Sequence, residues 1–298
     1  MKDGTRAVLA VLLLGLLGVA GCADSGDTAP EEALPRPFGD ALHYDRHERD
    51  ALHTANEQFI AGCMRQRGFA YEPQRLATGG ADPQDANPYG LLIVEQARQD
   101  GYGMTSARLN TRIPDDPNKE RSRRPRWRQA LLGTKKHEVR VRLPGKVEFF
   151  YNSDACLTKA REKLYGADYE RLHNTYQVLS NQVITTVRKA PGYLRAQERW
   201  ASCMREAGIR VRTLDDPRTL VDGRLRRAAA DPEKLHGVAG YELELSAKDA
   251  DCQRKTGLAR TIAEAQGRAE ESVAGARHSD LVRLRELRSA AVHRAADG

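Results

Sequence analysis

Aromatic side chains are scarce: Phe, Trp and Tyr make up 6% of the 298 residues, whereas 30% carry charge. That shortage argues against a β-sandwich core, which draws on aromatic and β-branched residues. No apolar run is long enough to cross a bilayer as a stable helix. There is no Cys-x-x-Cys and no paired Cys/His cluster, so the cysteines lack the spacing of a zinc or redox site. Gly-x-Ser-x-Gly and Ser-x-x-Lys are missing, which removes the familiar serine-nucleophile motifs. A phosphate-binding glycine loop is also missing. Asp115-Asp116-Pro117-Asn118 lacks the glycine and terminal glutamate of a calcium loop. His43 and His47 are spaced i, i+4, and His53 lies further along the same expected helix. However, His47-Glu48-Arg49-Asp50-Ala51 lacks the second histidine of His-Glu-x-x-His, so the segment reads as a solvated helix face. No catalytic residue, metal or cofactor is expected.

What is present starts at the N-terminus. Lys2 and Arg6 precede an apolar stretch from Ala7 to Val19, which leads into Val19-Ala20-Gly21-Cys22. This resembles a bacterial lipobox, the cleavage and lipidation signal of surface lipoproteins. The resemblance implies a signal peptide over 1–21 and a lipid-bearing Cys22 with palmitate-type chains. Two acyl chains give stable rather than marginal anchoring. The rest of the chain would then lie outside the cytoplasm, on the outer face of the cytoplasmic membrane. Residues 22–40, rich in Pro, Asp, Glu, Ala and Gly, read as a flexible tether.

The formal charge is +7. A basic protein outside the cytoplasm meets anionic lipid headgroups and wall polymers, so nucleic acid is not an expected partner. The basic residues cluster. Lys119, Arg121, Arg123, Arg124, Arg126, Arg128, Lys135 and Lys136 surround Trp127. Arg121, Arg123, Arg124, Arg126, Arg128, Lys135 and Lys136 are the candidates for binding an anionic surface. The plainer reading is a solvated arginine-rich loop with Trp127 in the core.

Setting Cys22 aside leaves Cys63, Cys156, Cys203 and Cys252, an even number suited to disulfides in an oxidising compartment. Four cysteines allow three connectivities. An internal repeat favours one of them. Phe59 stands four residues before Cys63 and Trp200 three before Cys203, each cysteine opens Cys-Met-Arg, and each block ends in a glycine (Gly68, Gly208) and an apolar residue (Phe69, Ile209). Each block reads as a helix end with the glycine in the left-handed conformation. Each is followed, after a variable insert, by a second helix bearing one cysteine. Pairing within units gives Cys63–Cys156 and Cys203–Cys252.

The expected fold is mainly α: two disulfide-linked helical units, a small β-hairpin and a long C-terminal helix. The first unit spans 41–190 and the second 191–298. A helix is expected over about 42–67 and a short one over 91–98, with a polar basic loop over 105–125 and helical turns from Arg126 to Leu132. His137 to Leu143 and Lys146 to Tyr151 alternate about Pro144-Gly145, which predicts the hairpin. Ser153 or Asp154 is placed to cap the helix of Cys156. Helices follow to about Tyr165, over 168–189 and around Trp200. Short helical turns are expected over 214–236, and helix from about Gly240 almost to the end. Leu281, Leu284, Leu287 and Ala291 make an apolar stripe of a bundle helix.

The duplicated Cys-Met-x-x-x-Gly helix ends, together with the lipobox, resemble a group of actinobacterial surface lipoproteins of unknown function. Tyr89-Gly90, Gly101-Tyr102-Gly103, Trp127 to Gly133, Cys156 to Gly166 and Ala247 to Leu258 are similar to recurring blocks of that group. The resemblance implies a disulfide-bonded, mainly helical exterior domain and carries over no catalytic residue. Some members look like companions of ABC exporters. The expected role is therefore a non-enzymatic, membrane-anchored protein that binds an envelope protein or an anionic wall polymer. The alternatives are a cell-wall-directed enzyme with a site built from distant Asp, Glu and His, and a receptor with a closed pocket between the two units.

Overall fold

A computed structural model describes residues 34–79, 86–229 and 231–296. From Leu34 onward the chain forms one compact unit. The described residues contain eleven α-helices and one two-stranded antiparallel sheet, as expected of a mainly α fold.

In the first half, α1 spans Arg46–Gln66, α2 Val94–Asp100, α3 Met104–Asn110, α4 Pro125–Leu132 and α5 Cys156–Tyr165. The hairpin strands lie between α4 and α5, β1 over Glu138–Arg142 and β2 over Glu148–Asn152. The second half is almost all helix: α6 Tyr169–Lys189, α7 Pro191–Glu206, α8 Asp216–Ala228, α9 Pro232–Lys255, α10 Leu258–Ala274 and α11 His278–Ala296. A 3-10 turn over Gly275–Arg277 joins α10 to α11, which divides the expected long C-terminal helix into two collinear-in-sequence segments.

Local signals set many of these ends. Asp45 and Glu48 form a capping box on α1, with Glu48 N donating to Asp45 Oδ1 at 2.8 Å and Asp45 N to Glu48 Oε2 at 3.1 Å. Asp231 caps α9, and Pro232 follows it in the first turn. Pro125, Pro191 and Pro217 open α4, α7 and α8 in the same way. Pro191 thus starts a helix, since its missing N–H is no loss in a first turn.

Two apolar clusters organise the packing. The larger joins α6 to α11 and includes Leu172, Tyr176, Val183, Trp200, Met204, Leu258, Ile262 and Leu284. The smaller holds Ile60, Met64, Trp127, Ala130, Cys156 and Ala160, from α1, α4 and α5. Leu52, Ala55, Leu164 and Ala291 connect α1 and α5 to α11. The larger cluster takes residues from both sides of position 190, including Phe38, Tyr89 and Leu91. Packed chain begins before residue 40: Phe38 is buried, its ring 4.9 Å from that of Tyr176 and its N–H bonded to Glu270 Oε1 at 2.9 Å. The tether expected over 22–40 is therefore corrected over 34–40, because Phe38 gains more from the core than from water.

Two further expectations are corrected. The polar loop expected over 105–125 contains α3 and a 3-10 turn at Arg121–Arg123. The short turns expected over 214–236 include the whole of α8 and the start of α9.

Candidate functional site

The two cysteine-bearing helix ends come first, because they hold everything else in place. Both predicted disulfides form, Cys63–Cys156 with Cα atoms 5.6 Å apart and Cys203–Cys252 with Cα atoms 5.7 Å apart. Beside each, the helix ends in the same pattern. Phe69 N donates to Met64 O at 2.9 Å and Gly68 N to Arg65 O at 3.0 Å. Ile209 N donates to Met204 O at 2.8 Å and Gly208 N to Arg205 O at 3.0 Å. These are two Schellman caps, which require the left-handed glycines seen at φ +78° and +83°.

Around the second disulfide lies a seam of buried polar groups that sequence reasoning did not single out. Asp249 accepts from Tyr102 Oη at 2.9 Å, Trp200 Nε1 at 2.8 Å and Gln253 Nε2 at 2.9 Å. Burial pushes its carboxyl above the ordinary range, against the pull of those three bonds. Glu242 accepts from the N–H groups of Tyr102, Met104 and Thr105 at 2.8–2.9 Å and from the Thr105 hydroxyl. Ser246 Oγ donates to Ala97 O at 2.8 Å. Glu242, Ser246, Asp249 and Gln253 are spaced 4, 3 and 4 residues apart, a polar stripe on one face of α9. That spacing was the available signal. The stripe clamps α2 and α3 to α9, and its acceptors already have donors, so it serves as internal scaffolding.

The smaller cluster carries the basic segment. Trp127 is buried, and its Nε1 donates to Ala70 O at 2.9 Å, so the ring anchors α4. The predicted basic residues around it have different surroundings. Arg121 is half-buried, 3.5 Å from Glu72 Oε2 and bonded to Pro117 O at 2.9 Å. Arg123 is exposed and pairs with Glu120 at 2.8 Å. Arg124, Arg126, Arg128, Lys135 and Lys136 are exposed, and their side chains form no ion pair among the described residues.

A polar joint fixes α4 to the hairpin and to the start of α5. Asp154 accepts from the Thr134 N–H at 2.9 Å and the Thr134 hydroxyl at 2.9 Å. Burial opposes its ionisation, but the two Thr134 bonds outweigh it and hold the carboxyl below the ordinary value. Asn152 Nδ2 donates to Leu132 O at 2.8 Å. The expected cap on α5 is thereby corrected: Ala155 is the N-cap residue and no side chain caps it. Asp154 is taken by Thr134, and Ser153 Oγ by His137 O at 3.2 Å.

Cys22 lies outside the described residues, so its proposed lipidation has no structural counterpart here. No group of three or more His, Cys, Asp or Glu suited to a metal occurs among the described residues. His53, from the expected histidine face, has Nε2 at 2.8 Å from Gln74 O. No helix among the described residues is long and apolar enough to cross a membrane. The two disulfides fit an oxidising, extracytoplasmic setting. The fold and site thus define a disulfide-braced helical protein with a basic surface on its smaller cluster, five of whose cations form no ion pair among the described residues. No protein-family model, curated protein or solved structure matches the chain.

Proposed function

We propose that this is a lipid-anchored protein of the outer face of the cytoplasmic membrane, which acts by binding another component of the envelope and not by catalysis. The observation that carries the reading is the set of exposed, unpaired cations on α4 and the turn after it, mounted on a disulfide-braced body. Unpaired surface cations are weakly committed within the fold and free to meet an anionic partner. The lipobox-like Val19-Ala20-Gly21-Cys22 supports the anchor. The resemblance to actinobacterial surface lipoproteins supports an exterior binding role, and the exporter companions in that group name one kind of envelope partner.

Detergent phase partition tests the anchor, and cross-linking in the intact envelope tests the partner. The full chain should enter the detergent phase and the Cys22→Ala variant should not. The basic segment should cross-link to a repeatable envelope component. A Cys22→Ala variant that still enters the detergent phase contradicts lipidation. Absence of any repeatable neighbour contradicts the binding role.

A further inference from the structure

The net charge of the chain resides in one segment. Residues 119–146 hold eleven Lys and Arg against two Glu, a balance of +9 in a protein whose total is +7. The remainder is therefore slightly acidic. This segment comprises α4, the turn at 135–137, β1 and the hairpin turn. Besides the five unpaired cations already named, Lys119 and Lys146 are exposed and form no ion pair among the described residues. Arg140 and Arg142 pair with Glu138 at 2.8 Å and Glu148 at 3.3 Å, so the hairpin itself contributes little net charge.

The same region also exposes apolar surface. The register sets Arg140 opposite Phe150 and Arg142 opposite Glu148. Phe150 therefore shares the outward face with the arginines, and 68% of it is exposed. Asn152, two residues on and on that same face, bonds to Leu132 O, which brings the end of α4 to it. Leu132 is 49% exposed and Val147, beside the turn, 43%. An anionic polymer would need only the cations. Exposed apolar side chains on the hairpin and at the end of α4, in the region that carries the unpaired cations, match a surface that is anionic outside and apolar just beneath, namely a lipid leaflet.

The way the chain enters the fold agrees. Phe38 packs on Tyr176 of α6, and the hairpin turn at Gly145 lies against Gln182 of the same helix. Six residues of α-helix rise about 9 Å. Leu34 is the twelfth residue after Cys22, a reach of at most about 40 Å. A lipid on Cys22 would leave the hairpin region within reach of the bilayer.

Resting on the lipid-anchor reading, we infer that α4 and the hairpin form a second, reversible membrane contact, in which the unpaired cations meet anionic phospholipid headgroups and Phe150 enters the interface. This contact would orient the domain on the leaflet.

The test uses the exported Cys22→Ser chain, with both disulfides formed and no acyl group, so it is independent of whether Cys22 is lipidated. Sedimentation is measured with vesicles of phosphatidylcholine alone and of phosphatidylcholine mixed with phosphatidylglycerol. Binding should require phosphatidylglycerol and should weaken as salt rises. Replacing Arg124, Arg126 and Arg128 together by Gln should weaken it about a hundredfold, at about fivefold per cation. Phe150→Ser should weaken it by about tenfold and leave the salt dependence unchanged. Equal binding to both vesicle types, or binding to neither, overturns the proposal. Binding to soluble polyphosphate with none to vesicles also overturns it, in favour of a wall polymer. If vesicle binding fails while the full chain still enters the detergent phase, the anchor stands and only this second contact falls.

Discussion

The two Cys-Met-Arg helix ends make the same local structure in two different surroundings. At Gly68 and at Gly208 the two Schellman bonds match, and Met64 and Met204 are both fully buried. Beyond the caps the units diverge. The insert that follows Cys203 is short and helical, and its disulfide lies in the larger cluster beside the Asp249 network. The insert that follows Cys63 carries α2, α3, α4 and the hairpin, and its disulfide lies in the smaller cluster. The charge imbalance falls within that first insert. One unit is thus mostly scaffold, while the other uses the same brace to display a surface. Similar sequence at a helix end determines its cap, whereas the partners across the fold determine what the cap supports.

Breaking the disulfides should have the largest effect. They close spans of 93 and 49 residues. Chain entropy then puts each at about 4–5 kcal/mol, with the longer span slightly ahead. Denaturant unfolding of the Cys63→Ala/Cys156→Ala and Cys203→Ala/Cys252→Ala pairs should show losses of comparable size. A much larger loss at Cys203–Cys252 would mean that the surrounding core matters more than the span.

The acids near each second cysteine come next, and they should respond to pH with opposite sign. Asp249→Asn keeps one oxygen for Trp200 and Gln253 but sets an amide N–H₂ against the Tyr102 hydroxyl, which loses its acceptor, and should cost up to about 3 kcal/mol. In a chain of this length that lowers Tm by about 6–12 °C. The folded pKa of Asp249 is raised, so its contribution is complete below the unfolded value and is lost as pH rises through the folded one. That of Asp154 is lowered, so its contribution is complete above the unfolded value and is lost as pH falls through the folded one. Melting curves of Asp249→Asn and Asp154→Asn across the acid range should separate the two. The same sign for both would break the contrast.

The caps should behave alike. A Cβ at Gly68 or Gly208 would meet nothing within 4 Å, so only the left-handed backbone resists substitution. Gly68→Ala and Gly208→Ala should each cost about 1 kcal/mol in equilibrium unfolding, equal within error. A large difference would show that the surroundings reach into the cap after all. The smallest expected effect is on the displayed surface. Changing Arg124, Arg126 and Arg128 together to Gln should move stability by no more than about 0.5 kcal/mol, because none is paired or buried. A clear loss of Tm would make these arginines structural.

What was legible in the sequence follows from the range of the forces. The Schellman glycines and the alternation of the hairpin depend on a few neighbouring residues, and both appear close to where they were expected. The in-unit cysteine pairing spans 93 and 49 residues and was legible only through the repeat of the cysteine blocks. The hairpin strands differ from expectation by a residue or two at each end. α3 was not legible. Gly103 precedes it with no side-chain cap of its own, and the missing acceptor is Glu242, 137 residues beyond Thr105. The capping of α5 was misjudged for the same reason, because Thr134 competes for Asp154 from across the joint. The basic residues could be read from the chain. Which of them lack partners could not, since Glu72 reaches Arg121 from another segment.

Hydrogen–deuterium exchange of the Cys22→Ser chain, with and without phosphatidylglycerol-containing vesicles, tests the central contrast most directly. The account predicts added protection confined to α4 and the hairpin, residues 125–152, with α6 to α11 unchanged. Protection spread over the larger cluster, or none at all, would contradict the division between a scaffold and a displayed surface.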